Sequence, residues 1–219
     1  MHATPPAIHA LPPATVIQRY QAALEAQAVP PHQVFEYTVD QVGFHDLAQT
    51  HRIYRSPGVQ RDELIADNGH PVKPPVVRIR RGVRDRYALE NVAPQPGAYT
   101  FSYVGVAHVG AHLAYAFDTV PSGTAKAFTV RRVVIDGLSY LPTSLSFETH
   151  SARANGTGTM SFAKAGRYWV PTRVAVTATV DGKKASESIS FSAYAFPQAL
   201  PPATFRVAHS SASTSSESP

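Results

Sequence analysis

The strongest constraint on this chain is a period of two that begins at Val34 and returns along most of its length. Phe35, Tyr37 and Val39 alternate with Glu36, Thr38 and Asp40, and Tyr99, Phe101 and Tyr103 alternate with Thr100 and Ser102. Leu113, Tyr115 and Phe117 alternate with His112, Ala114, Ala116 and Asp118, and Leu145 and Phe147 with Ser144, Ser146 and Glu148. Val174, Val176 and Val180 alternate with Arg173, Thr177 and Thr179, and Ile189 and Phe191 with Ser188, Ser190 and Ser192. Successive strand residues point to opposite faces, so each stretch has one apolar and one polar face. A sheet with one wet face pairs its strands antiparallel. Asn68-Gly69, Asp136-Gly137, Asn155-Gly156 and Asp181-Gly182 stand between strand-like runs, where primed hairpin turns require positive φ. The reading is about ten strands in hairpin order, with no interleaved helices to make a parallel sheet.

So many one-faced strands need a cover. A sandwich would fold half of them over the other half, whereas a barrel or half-barrel would curl the apolar face inward. The sequence supplies one clear helix. Thr15 and Gln18 have capping-box spacing after Pro12-Pro13, and Val16, Tyr20, Ala23, Leu24 and Gln27 then share a face. Pro30-Pro31 stops it. The expected architecture is mainly β: a large curved antiparallel sheet forming an incomplete barrel, with this helix over its apolar concave face. Residues 1–13 read as an N-terminal extension, 14–207 as one domain, and 208–219, nearly all Ser, Ala and Thr, as a disordered tail. The other Pro-Pro pairs, Pro74-Pro75 among them, read as punctuation between elements.

Several function classes drop out. No apolar run approaches the roughly 20 residues of a membrane-spanning helix. The absence of cysteine removes disulfides, thiolate metal sites and cysteine nucleophiles together. No nucleophile elbow, His-Glu-x-x-His motif or phosphate-cradling loop is present. His108 and His112 resemble a metal pair, but along one strand four residues span about 13 Å, too far for a single ion. Asp62 and Glu63 are neighbours on a strand and face apart, which excludes a carboxylate dyad and leaves cross-strand ion pairing. Asn155-Gly156-Thr157 is a formal glycosylation sequon that a hairpin turn explains better. The net charge of +5 is concentrated at Arg78, Arg80, Arg81, Arg84 and Arg86. These alternate with Val77, Ile79, Val83 and Tyr87 like the wet face of a strand pair, with an anionic headgroup contact as the second reading. No nucleic-acid module accompanies them. No metal, cofactor or catalytic residue is expected.

Read in order, several phrases resemble the outer-membrane lipoprotein carrier (LolA-like) family. They are "ATVIQRYQAALEAQ", "HRIYRSPGVQRDELI", "FSYVGVAHVGAHLAYAFDTVP", "RVVIDGLSYLPTSLSF", "GRYWVPTRVAV" and "FPQALPPATF", which together span most of Pro13 to Phe205. The resemblance implies an incomplete barrel whose mouth is covered by helices and whose apolar cavity binds acyl chains or lipid-modified proteins in the periplasm. It also implies a secretory signal ahead of Met1 that this chain lacks. Arg55 stands near the place of the family arginine that holds the helical cover, although Arg55-Ser56-Pro57 has one residue inserted into the family's Arg-Pro pair. The long mid-chain helical insertion of carriers with a lid is absent: "GVRDRYALENVAPQPG", Gly82 to Gly97, is short and broken by proline. Simple binding is therefore favoured over active shuttling.

The expected function is non-catalytic: a periplasmic, monomeric binder or carrier of a lipid or lipidated protein. The apolar lining assigned to it is Phe35, Tyr37, Phe101, Tyr103, Leu145, Phe147, Val174 and Val176, with Arg55, Tyr20 and Leu24 contacting the cover. The alternatives are a structural or regulatory envelope module that binds another protein through a sheet edge or the helix, and an enzyme of unrecognised type.

Overall fold

The computed structural model describes residues 10–43, 46–83, 85–109, 112–124 and 127–206; of 107–109 and 112 only the backbone is described. Eleven antiparallel strands form one sheet. They are β1 (Gln33–Val42), β2 (Leu47–Ser56), β3 (Val59–Asp67), β4 (His70–Arg81), β5 (Tyr99–Val109), β6 (His112–Pro121), β7 (Phe128–Asp136), β8 (Pro142–His150), β9 (Ala154–Ala165), β10 (Tyr168–Val180) and β11 (Lys183–Ala195). Helix α1 (Pro13–Ala26) precedes them, a short helix α2 (Leu89–Val92) lies between β4 and β5, and a 3-10 turn, Pro202–Phe205, follows β11. The strand order is β4-β3-β2-β1-β11-β10-β9-β8-β7-β6-β5. Every neighbour in the sheet is therefore a neighbour in sequence except β1 and β11, which join the two halves of the meander. The edges β4 and β5 do not pair with each other, so the curled sheet is a half-barrel and not a closed barrel.

Cross-strand register identifies the inner face, because directly paired residues share a side. Ile189 pairs with Val174, Val174 with Met160, Met160 with Leu145, Leu145 with Val133 and Val133 with Phe117. All six are buried, five of them at 2% exposure or less, and together with Val16 and Tyr20 of α1 they belong to one apolar core. Burying Val16 and Tyr20 there contributes roughly 1.5–3 kcal/mol for each side chain. Polar contacts fix the helix: the Tyr20 hydroxyl donates to the Pro94 carbonyl (2.9 Å), and Arg19 Nη1 donates to the Tyr140 hydroxyl (2.6 Å). Leu11, assigned above to a loose extension, packs on the core, and its N–H donates to the Tyr115 hydroxyl (3.0 Å). The Ser-rich tail 208–219 lies outside the described residues.

Several local expectations are corrected. Helix α1 begins at Pro13 with Pro12 as its N-cap and makes no side-chain cap, so the Thr15–Gln18 box is not used. Proline at the first helical position lacks the N–H that a cap would satisfy and presets φ, so it opens the helix unaided. Asn155-Gly156 is not a turn but lies inside β9, where Gly156 is buried and pairs with Ala178. A Cβ at Gly156 would come within 3.0 Å of the Ala178 Cβ, so here glycine serves close strand approach. Asp136-Gly137 opens a longer loop, in which the Asp136 carboxylate accepts from the Ser139 N–H and hydroxyl (both 2.7 Å) and the positive φ falls on Tyr140. Pro74-Pro75 is not between elements but within β4, at the stretch where the β3–β4 register slips between Leu64 and Ala66. An edge strand tolerates proline because its outer N–H groups need no partner. His108 and His112 lie on different strands of one hairpin, in β5 and β6, and their side chains lie outside the described residues. Asn68-Gly69 and Asp181-Gly182 do form turns with positive φ at both residues.

Candidate functional site

Helix α1 packs on the core of the inner face, its Tyr20 ring meeting Phe101 of β5, while β1 to β4, β11 and the crossover supply most of the lining of a cavity of about 440 Å³. That volume lies within the range of small-molecule sites, roughly 300–1,000 Å³. The register sets its walls. Phe35 pairs with Ile53 and Ile53 with Asp62, and Asp62 pairs with Arg78. Arg55 pairs with Gln60, and Gln60 with Arg80. Tyr37 pairs with His51 on one side and with Phe191 on the other. Residues that alternate along four different strands are thereby brought to one surface. From the far side, Val83, Asp85, Arg86 and Tyr87 close over them. These belong to the crossover that carries the chain from edge β4 to edge β5.

The floor is aromatic. Phe35 stacks on Tyr194 at 5.3 Å and lies 6.1 Å from Phe191, while Tyr87 meets Phe191 edge-on at 5.6 Å. Phe191 and Tyr194 are three residues apart and would ordinarily face opposite ways. Ala193, at φ 53, lies beside the β1–β11 register shift and lets both meet Phe35. Tyr37 stacks flat against the His51 ring at 4.7 Å.

Above the floor the site is charged. His51 Nδ1 and Asp62 Oδ1 are 2.7 Å apart, with side-chain exposures of only 14% and 9%. Arg55 forms an ion pair with Asp85, reaches Gln60 Oε1 from Nε (3.1 Å) and Nη2 (2.9 Å), and lies over the Phe35 ring at 5.3 Å. Arg55 therefore fastens the crossover to the sheet. Four arginines line the cavity (Arg55, Arg78, Arg80 and Arg86) against three carboxylates, Asp62, Asp85 and Glu187. Burial, with the Asp62 charge added, pushes the Tyr37 phenol up to about 12, while Arg80 and Arg86 pull it the other way. Burial also raises Tyr87 and Tyr194. All three remain neutral phenols at physiological pH. No group of three or more metal-ligating side chains occurs among the described residues.

The residues assigned from sequence divide between this cavity and the core. Phe35 and Tyr37 line the cavity. Phe101 meets Tyr20 (5.8 Å) and Phe117 (6.2 Å) beneath the helix, and Tyr103 is 43% exposed near edge β5. Leu145 and Val174 are buried in the core. Phe147 and Val176 border a second, more open space of about 720 Å³, lined from β1 and from β7 to β11, and Tyr20 and Leu24 lie on the core face of α1. The polar half of the site, His51, Asp62, Arg78, Arg80 and Arg86, was not singled out as lining. Its trace in the sequence is the alternation of Arg78 and Arg80 with Val77 and Ile79. That pattern shows the two arginines share a face, but only pairing with Asp62 and Gln60 shows it to be the inner one.

No family model matches the sequence, and no curated protein matches it. Among solved structures, the chain is similar to a domain assigned as an outer membrane lipoprotein-sorting protein from Vibrio parahaemolyticus. That match has a TM-score of 0.50 at 13% identity and covers 86% of this chain and 95% of that one. It is also similar to a LolA superfamily protein from Nitrosomonas europaea (TM-score 0.44, 11% identity, 90% and 99% covered). A DUF1329 family protein from Desulfovibrio piger gives a TM-score of 0.47 at 12% identity, with 88% and 96% covered. At these identities the likeness concerns the fold, which is LolA-like.

Proposed function

We propose that this LolA-like half-barrel holds the acyl part of a lipid or lipid-modified protein, without catalysis, in the bacterial cell envelope. The observation that carries the reading is the cavity beside β1 to β4, whose lining includes Phe35, Ile189 and Phe191. Apolar burial of a chain against such a lining is worth about 0.8 kcal/mol per methylene. Of the lining assigned from sequence, Phe35 and Tyr37 border this cavity, while Leu145, Phe147 and Val174 belong to the core. The similar structures include a lipoprotein-sorting domain, which agrees with a periplasmic, lipid-facing role. The protein is taken to act as a monomer.

The reading is tested by native mass spectrometry of the protein purified from a bacterial host, and by titration with a fluorescent fatty acid. Co-purified lipid and saturable uptake are expected. Val39→Trp, which places a large ring in the cavity, is expected to weaken uptake about tenfold or more while leaving the melting temperature within a few degrees. Absence of uptake by the unaltered protein would overturn the reading.

A second reading, a protein-interaction module, is favoured by one observation. At the β5 edge Tyr103, Val104, Val106 and, on β6, Val120 are 42–57% exposed. An unpaired strand with apolar side chains offers a partner both backbone hydrogen bonds and contact area.

A further inference from the structure

The cavity's cations are not distributed as its carboxylates would require. Asp85 is held by Arg55 and Asp62 by His51, while Glu187, the third carboxylate of the lining, has no cation within 4 Å among the described residues. Among the described residues neither Arg78 nor Arg80 lies within 4 Å of a carboxylate, and Arg86 is engaged only by the Tyr87 ring, 4.6 Å away, and its hydroxyl. Arg80, on edge strand β4, and Arg86, on the crossover, both line the cavity. Both act electrostatically on the hydroxyl of Tyr37, against the larger and opposite effect of Asp62; this hydroxyl lines the same cavity and makes no hydrogen bond within the described protein. As a neutral phenol that hydroxyl has a proton to donate. Solvent exposure keeps both guanidiniums at the rim, whereas Phe35 (4% exposed) and Ile189 (4%) form the floor. The site is thus graded: donors and positive charge at the mouth, apolar surface beneath.

We propose that this gradient selects an anionic amphiphile, with Arg80, Arg86 and the Tyr37 hydroxyl binding a carboxylate or phosphate head while its alkyl tail lies on Phe35, Ile189 and Phe191. The inference rests on the lipid-binding reading above and adds the chemistry of the head. Guanidiniums bind oxyanions through paired, charge-assisted hydrogen bonds that a neutral head does not return. Arg78, paired in register with Asp62, adds long-range attraction without being required for contact. The arginines that resemble a wet strand face in the sequence are, on this account, a binding rim.

The test is calorimetric titration of the full chain with four probes: dodecyl phosphate, dodecanoate, the neutral monolauroylglycerol, and inorganic phosphate. The unaltered protein is expected to bind both anionic amphiphiles about tenfold or more tighter than monolauroylglycerol, and inorganic phosphate only weakly. In the Arg80→Gln/Arg86→Gln double variant the preference for the anionic amphiphiles should fall to within about twofold. Arg80→Lys/Arg86→Lys, which keeps the charge, should retain most of it. Equal binding of anionic and neutral amphiphiles, or a preference that survives the glutamine substitutions, overturns the anionic head while leaving lipid binding intact. Inorganic phosphate bound as tightly as dodecyl phosphate shows a free-anion site and overturns the tail. If no probe binds, both the head and the lipid-binding reading fall.

Discussion

At the residue scale, two positions show how much depends on a single Cβ. Phe147 pairs with Gly158 across β8 and β9, and a Cβ at Gly158 would lie 2.6 Å from both the Phe147 ring and the Ala175 carbonyl oxygen. The glycine lets the ring lie flat on the neighbouring strand. Gly158→Ala is expected to destabilise by about 1–3 kcal/mol, read as a shift of the denaturation midpoint in urea. Ala193 presents the opposite case, with a side chain where φ is 53. The left-handed region costs an L-residue roughly 1–2 kcal/mol, partly offset when glycine loses more chain entropy. Ala193→Gly is therefore expected to raise stability by about 0.5–1 kcal/mol, measured the same way. Neither feature is legible in the sequence as such. Gly158 lies in a run of Gly, Thr and Asn that reads as a turn, and an alanine gives no sign of its φ.

At the element scale, the stretch Gly82 to Gly97 matters most. In the sequence it is short and proline-broken, unlike a long helical lid. In the structure it crosses the inner face from one sheet edge to the other, and Leu89, Val92 and Ala93 are buried in the core. Its near end is held by the Arg55–Asp85 pair and its far end by the Tyr20–Pro94 bond. The paired side chains are 17% and 20% exposed, so solvent screens them only in part. Asp85→Asn leaves a guanidinium facing a neutral amide and should cost about 1–3 kcal/mol. The loss should appear as faster amide exchange at Tyr87 to Ala93, with β8 to β10 unchanged. Global acceleration instead would show that the crossover does not open by itself. The resemblance implies that Arg55 holds a helical cover; the contact the structure gives it is the ion pair with Asp85 of this crossover.

For the whole molecule, the buried phenols set the alkaline limit. Of ten tyrosines, Tyr20, Tyr37, Tyr87 and Tyr194 are raised above the ordinary value of 10.0, burial being the first cause in each. A phenol whose folded pKa is raised stabilises the fold fully below the unfolded value near 10. That contribution is lost as pH rises through the folded value. For Tyr37 the window is therefore pH 10 to about 12, and the loss is up to about 2–3 kcal/mol. Absorbance at 295 nm should show that part of the tyrosine signal, that of Tyr20, Tyr37, Tyr87 and Tyr194, appears only well above pH 10. Melting temperature should decline across the same interval. Simple titration of all ten near pH 10, with the fold intact, would contradict the packing described here.

Residue pattern alone specifies the sheet, its antiparallel sense and one amphipathic helix, and the resemblance adds the LolA-like fold. Period-two alternation and amphipathic spacing are local, and each stretch carries its own inward side. Even there, edge positions misled: Pro74-Pro75 reads as a break and lies in a strand, because only the sheet shows which strand lacks an outer neighbour. The tertiary structure decided which apolar residues border open space and which are core. Phe35 and Tyr37 border the cavity and Leu145 and Val174 do not, although all four follow the same pattern, because the latter pair belongs to the core on which α1 packs. It also decided that Arg78 and Arg80 face inward. Alternation fixes that two side chains share a face, and the pairing of distant strands fixes which face it is.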